Sequence, residues 1–201
     1  MPLDLLLAFL TYAFVTSITP GPNNTMVLAS GVNHGFSRTI PHVLGISSGF
    51  AVMVLAVGFG IGRLFITAPW LYEALRWIGA AYLLWLAWKI ATASAMDEKT
   101  TASKPMSFWQ AAAFQWVNPK AWVMAIGAIA TYTPANGGLG MILLVAVLFA
   151  VVNAPTVALW AAFGTTLRRW LTDARYVRIF NITMAALLVL SLQPLLWGGM
   201  H

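Results

Sequence analysis

Cysteine is missing from this chain, so neither disulfides nor thiol chemistry can contribute to it. Charge is scarce too. Asp, Glu, Lys and Arg together make up 8% of the residues, against about 25% in an ordinary soluble domain. The acids are only five, Asp4, Glu73, Asp97, Glu98 and Asp173, and the histidines three. That inventory argues against an enzyme site, which needs a clustered nucleophile, metal or acid–base set. What fills the chain instead is apolar: 60% of the 201 residues are hydrophobic, and the mean hydropathy is +0.81. Such a composition points to an integral membrane protein, with a length suited to one domain over 1–201. The opening "MPLDLLLAFL" lacks the basic start of a signal peptide, and its apolar run continues too far. It is read as a permanent first span. The formal net charge of +6 would suggest nucleic acid in a soluble protein. Here the basic residues lie in short loops, no nucleic-acid-binding motif is present, and the expected surroundings are a lipid bilayer.

A bilayer-crossing helix needs roughly 20 apolar residues. Six segments qualify: about 3–31, 41–67, 70–92, 108–132, 138–164 and 178–197. The longest polar stretch, "ASAMDEKTTASKP" at 93–105, separates two halves of three spans each. This predicts an all-α membrane domain with repeat 1 over 1–92, a cytoplasmic linker over 93–107 and repeat 2 over 108–201. Arg38, Lys89, Lys99, Lys104, Arg168, Arg169, Arg175 and Arg178 lie on one side, and only Arg63 and Arg76 on the other. The positive-inside rule places the larger group in the cytoplasm and both termini outside. Trp70, Trp77 and Trp197 then fall near the outer boundary, and Trp88, Trp109 and Trp170 near the inner one, as aromatic belts do. The remaining tryptophans are expected to pack between helices.

Three spans per half make the halves enter the membrane from opposite sides. That is a 3+3 inverted repeat, a common transporter architecture. The strings "ITPGPNN" and "VNPKAWV" support it. Phe9 stands eleven residues before Pro20, and Phe108 eleven before Pro119. Spans one and four are therefore expected to break, at Pro20, Gly21 and Pro22 and at Pro119. Interrupted spans at matched positions are the best sequence pointer to a transporter's binding site.

Proline removes a backbone donor and strands the carbonyl four residues earlier. Pro20 strands that of Thr16, Pro22 that of Ile18, and Pro119 that of Gln115. Beyond each break a half-helix begins. Thr19 could cap a helix opening at Pro20, or Gly21 one opening at Pro22; Asn118 could cap the helix opening at Pro119. Such N-termini favour an anion, and stranded carbonyls can accept bonds from an ammonium group. A site with both suits a zwitterion. Lys120 stands mid-span, where a lysine costs about 2.5–3.5 kcal/mol on insertion scales. It either meets a substrate carboxylate or holds stranded carbonyls to support the break. Asn23, Asn24 and Thr25 follow the first break and could line the same cavity, and Gln115 lies one turn before Asn118. Asn153, before Pro155, suggests a second kink. His42, near a helix end, is read as solvated. Gly45 and Gly49, in "GISSG", have the spacing that permits close helix contact, while Gly58, Gly60 and Gly62 make the end of that span pliable or tightly packed.

"TPGPN" in the first span, "GISSG" in the second, "WIGAAYLLWLAWK" in the third and "FWQAAAFQWVNPKAW" opening the second half together resemble the lysine/homoserine exporter (LysE/RhtB) superfamily. The likeness covers essentially the whole chain. The third-span string and "SFWQAAAFQWVN" look most like the branch that exports cysteine and O-acetylserine. The resemblance implies an inner-membrane secondary transporter. It would move amino acids or their derivatives out of the cytoplasm, in exchange for protons and without a cofactor. Pro20, Gly21, Pro22 and Asn23 match the family's first signature; Asn118, Pro119 and Lys120 match the second. One departure stands out. Many members carry an aspartate after the second glycine of the span-two motif, where this chain has Phe50. That argues against a cationic substrate and leaves the proton-carrying residue unassigned. A channel, a non-transport membrane subunit and an integral membrane enzyme are the rival readings, and a homo-oligomer stays open.

Overall fold

A computed structural model describes residues 1–61, 67–92, 104–133, 138–171 and 173–192, without the side chains at 69, 72, 76 and 174. Gly62, Arg63, Asp97, Glu98, Lys99, Trp197, the side chain of Arg76, most of the 93–107 linker and the end of the sixth span lie outside the described residues. Among the described residues there are helices and no strands. They are α1 (Leu3–Ile18), α2 (Pro22–His34), α3 (Phe36–Gly58), α4 (Pro69–Ala91), α5 (Phe108–Phe114), α6 (Pro119–Tyr132), α7 (Gly138–Arg168) and α8 (Ala174–Leu190). A 3-10 turn, Gln115–Val117, follows α5.

Two helices, α3 and α7, are each long and apolar enough to cross a membrane. α1 and α2 meet the requirement as a pair, bent by 56° at the break between them. The other segments fall short singly for plain reasons. α6 has 14 residues and α8 has 17, and α4 is diluted by tryptophans and by Glu73, Arg76 and Lys89.

Local chemistry sets several boundaries. Ser107 and Gln110 form a reciprocal capping box that starts α5. The Asp173 carboxylate accepts from the Arg175 N–H and starts α8. Gly35, at φ 81°, makes the sharp turn from α2 into α3. The expected kink at Asn153–Pro155 does not divide its segment. α7 continues through Pro155 as one helix.

The packing is organised by two long helices. α1 and α2 both lie on α7, and α5 and α6 both lie on α3, while α3 packs on α7 and α4 on α8. The interior contains an aromatic cluster. Phe149 meets Phe50 edge-on at 4.7 Å between centroids and Phe9 at 5.7 Å, and Phe9 meets Tyr132 at 5.2 Å. Lipid tails are as apolar as these side chains, so close van der Waals contact has to hold the helices together. Glycines provide it. A Cβ on Gly31 would strike the Ala161 carbonyl, and one on Gly164 would strike the Leu28 carbonyl. The α2 and α7 backbones are therefore in reciprocal contact. Gly45 and Gly49 do the same for α3, facing the Phe108 carbonyl and Ala112 of α5. Gly58 is packed against Ile142, while Gly60, at φ 98°, has open space around it.

Trp70, Trp77, Trp88, Trp109 and Trp170 are exposed, as a belt position demands. Trp122 is buried and donates its indole N–H to the Trp116 carbonyl at 2.9 Å. Trp85 departs from the expected interior packing. It is exposed, with the Lys89 ammonium 4.3 Å from its ring centroid.

The glycine contacts make a graded expectation. Gly31→Ala and Gly164→Ala should each lower stability by about 1–3 kcal/mol through overpacking. Gly140→Ala, whose Cβ would meet nothing within 4 Å, should stay within about 0.5 kcal/mol of the parent. Unfolding in detergent micelles, followed by circular dichroism, measures all three.

Candidate functional site

The two interrupted segments come together at one place. α1 ends at Ile18, with Thr19 beyond it in an extended conformation. Of the two caps considered for the next helix, the structure uses Gly21, followed by Pro22 at the first position. Thr19 is not the N-cap of α2. It closes α1, its N–H and hydroxyl both donating to the Val15 carbonyl. With Pro20 and Pro22 lacking N–H groups, the chain cannot continue the helix and runs straight, with Gly21 at φ 179°. In the second half the expected cap is found. Asn118 Oδ1 accepts from the Lys120 N–H at 3.2 Å, and Pro119 opens α6. The Gln115 carbonyl, expected to be stranded by Pro119, is not left without a partner. The tight 3-10 turn lets it accept the Asn118 N–H at 3.2 Å.

Side chains then tie one break to the other. Lys120 Nζ donates to the Thr19 carbonyl at 2.6 Å and to the Pro20 carbonyl at 3.4 Å. A cation at the C-terminal end of α1 is also favoured by the helix dipole. Thr19 and Pro20 thus enter the site through their carbonyls and not their side chains. Asn24 Nδ2 donates to the Ser17 and Thr19 carbonyls at 2.7 and 2.9 Å. Asn23 and Gln115 exchange amide hydrogen bonds at 2.9 and 3.2 Å, and Gln115 also donates to the Ala111 carbonyl at 2.9 Å. This cross-break amide pair explains a fully buried glutamine.

Beside these residues lies a small cleft that opens to the surface. Gly21, Asn23, Asn24, Asn118 and Lys120 line it, together with Ser17 and Asn153. Phe50 and Met124 supply apolar surface. Lys120 is the one charged side chain among the lining residues. Thr19, Pro20, Pro22, Gln115 and Pro119 shape the site without lining the cleft. Thr25 is buried behind it.

Ser17, Ser47 and Asn153 form a buried chain that motif reasoning missed or undervalued. Asn153 donates to the Ser17 hydroxyl at 3.0 Å and accepts from the Ser47 hydroxyl at 3.0 Å. It joins α1, α7 and α3 beside the cleft. The available signal was an asparagine in the middle of the most apolar span. His42 is a correction. It is 2% exposed, and neither ring nitrogen has a hydrogen-bond partner, so it is not a solvated helix-end residue. The tight packing of α3 against α5 one turn on, at Gly45, encloses that stretch of helix.

A Cβ on Gly21 would lie 2.9 Å from Lys120 Cδ and 3.2 Å from its Nζ. Any residue tolerates this extended backbone, so glycine is needed for the close approach of the lysine. Gly21→Ala should therefore displace the ammonium from the two carbonyls. The expected outcome is a folded protein with a stability loss that is non-additive with Lys120→Ala by about 0.5–3 kcal/mol, read from a double-mutant unfolding cycle.

The family model for LysE type translocators matches residues 14–191. A cysteine/O-acetylserine efflux protein of Salmonella paratyphi A is 40% identical over 187 residues, covering 92% of this chain and 94% of the relative. That of Escherichia coli K12 is 39% identical over the same length and coverage. No solved structure matches. With both interrupted motifs inside the matched region, the chain belongs to the LysE-type translocators, a family of membrane transporters and not of enzymes.

Proposed function

We propose that this protein exports small neutral amino acids or their derivatives from the bacterial cytoplasm, across the inner membrane, in exchange for protons. The substrates in view are of the cysteine/O-acetylserine or homoserine/threonine type. The efflux relatives support the first pair. One observation carries the reading. The Lys120 ammonium and the Thr19 and Pro20 carbonyls are paired across the two interrupted segments, in a cleft with no carboxylate among its lining residues. A cationic substrate would find no counter-ion there. A zwitterion finds complementary groups: carbonyls for its ammonium, and for its carboxylate the first-turn N–H groups of Asn23 and Asn24, which have no intrahelical acceptor.

The proposed architecture is six spans in a 3+3 inverted repeat with both termini in the periplasm. Its support is the matching of parts. α1–α2 and α5–α6 are both interrupted, and each pair rests on the long helix of the other half, α7 and α3 respectively. Substrate then binds between the repeats, as alternating access requires.

Expression in a bacterium, with amino acids in the medium measured by mass spectrometry, tests the function. One or a few neutral amino acids should accumulate several-fold over an empty-vector strain. Lys120→Ala, inserted at normal levels, should abolish the accumulation. An unchanged medium with well-inserted parent protein would end this reading. Saturable counterflow in liposomes would separate the transporter from a channel.

A further inference from the structure

Lys120 does something unusual for a cation deep in a membrane domain. Among the described residues its partners are main-chain carbonyls and not an acid. The Thr19 carbonyl takes its proton at 2.6 Å and the Pro20 carbonyl at 3.4 Å. The same carbonyls are the acceptors that a substrate ammonium would need. A primary ammonium on a flexible stem and the ammonium of an amino acid are chemically alike, each with three donors and no acceptor.

We propose that Lys120 is a tethered competitor of the substrate and the proton carrier of the exchange: its protonated amine and the substrate's ammonium occupy the Thr19 and Pro20 carbonyls alternately. The inference rests on the exporter reading and deepens it. When a zwitterion enters, two ammonium groups face one pair of carbonyls, and the like charges repel. The Lys120 N–H bond breaks, the electron pair stays on Nζ, and the proton leaves to water at the mouth of the cleft. On the cytoplasmic side this loads substrate and releases a proton inward. On the outer side a proton binds Lys120, its ammonium retakes the carbonyls, and the substrate leaves. Each cycle moves one substrate out and one proton in. No carboxylate is required, which fits Phe50 on the cleft wall.

Among the described residues no other titratable side chain lines the cleft. α1 offers Thr16 and Ser17, α2 offers Asn23 and Asn24, α3 offers Phe50, and α7 offers Asn153 and Val157. The titratable groups farther along these elements are Asp4 and Tyr12 on α1, the Tyr12 hydroxyl donating to the Met124 carbonyl at 3.1 Å, His34 on α2, Arg38 and His42 on α3, Tyr132 at the end of α6 and Arg168 at the end of α7. Gly21 is part of the device, because any side chain there would hold Nζ away.

The test uses the full protein in liposomes, with L-homoserine, L-threonine and O-acetyl-L-serine as probes. Counterflow by the parent comes first. If none of the three exchanges, the exporter reading itself fails and this inference with it. For a probe that does exchange, the parent should release about one proton per molecule bound, read in weak buffer. Its apparent affinity should weaken by about tenfold per pH unit on acidification, while Lys120 is protonated. Lys120→Met should lose the pH dependence of binding and the proton release, and no longer drive uphill export from a pH gradient. Lys120→Arg, a permanent cation, should bind weakly at every pH. Parent protein that binds without releasing a proton and with a flat pH profile would overturn the proposal. So would uphill export retained by Lys120→Met. Should the methionine variant not fold, the parent and arginine measurements decide alone.

Discussion

The bond from Lys120 Nζ to the Thr19 carbonyl joins the two places where the chain abandons helical hydrogen bonding. Much of the site's arrangement follows from it. A lysine in this setting must find acceptors, and stranded carbonyls must find donors; each is the other's solution. Asn24 completes the set by holding the Ser17 and Thr19 carbonyls from the far side. Gly21 keeps the space open, and Asn118 fixes where α6, and so Lys120, begins. An uncompensated break in hydrocarbon would be costly. Here part of the compensation comes from the opposite half of the chain, through Lys120, and part from the same half, through Asn24.

The polar groups are economical in kind. Apart from Lys120, amides and hydroxyls do the cross-linking: Asn23 with Gln115, and Ser47 through Asn153 to Ser17. Each such bond contributes little on its own, about 0.6 kcal/mol on average between membrane helices. Their value lies in direction. They fix the side chains that line the cleft.

Much of this was legible in the sequence because its strongest signals are local. "TPGPNN" and "VNPK" contain their own break and cap chemistry, and Asn118 with Pro119 behaves as residue type and order dictate. "GISSG" specified a close contact, though not that α5 would make it. What the sequence did not disclose depends on three-dimensional encounters. Thr19 could not cap α2 because its hydroxyl and N–H turn back to the Val15 carbonyl. The fate of the Gln115 carbonyl turned on a switch to 3-10 bonding. Ser17 and Ser47 look like ordinary small residues until Asn153 is placed between them. His42 was misjudged because distance from a helix end says little about burial when a neighbouring helix covers that end.

The reciprocal glycine contacts between α2 and α7 set a mechanical asymmetry. With Gly31 against the Ala161 carbonyl and Gly164 against the Leu28 carbonyl, the two backbones interlock at two points. They resist sliding and separation alike, and so form a single beam. α1 rests on the same beam and runs into it through the non-helical residues 19–21, the peptides that also bear the cleft's acceptors, so any tilt of α1 turns those carbonyls with it.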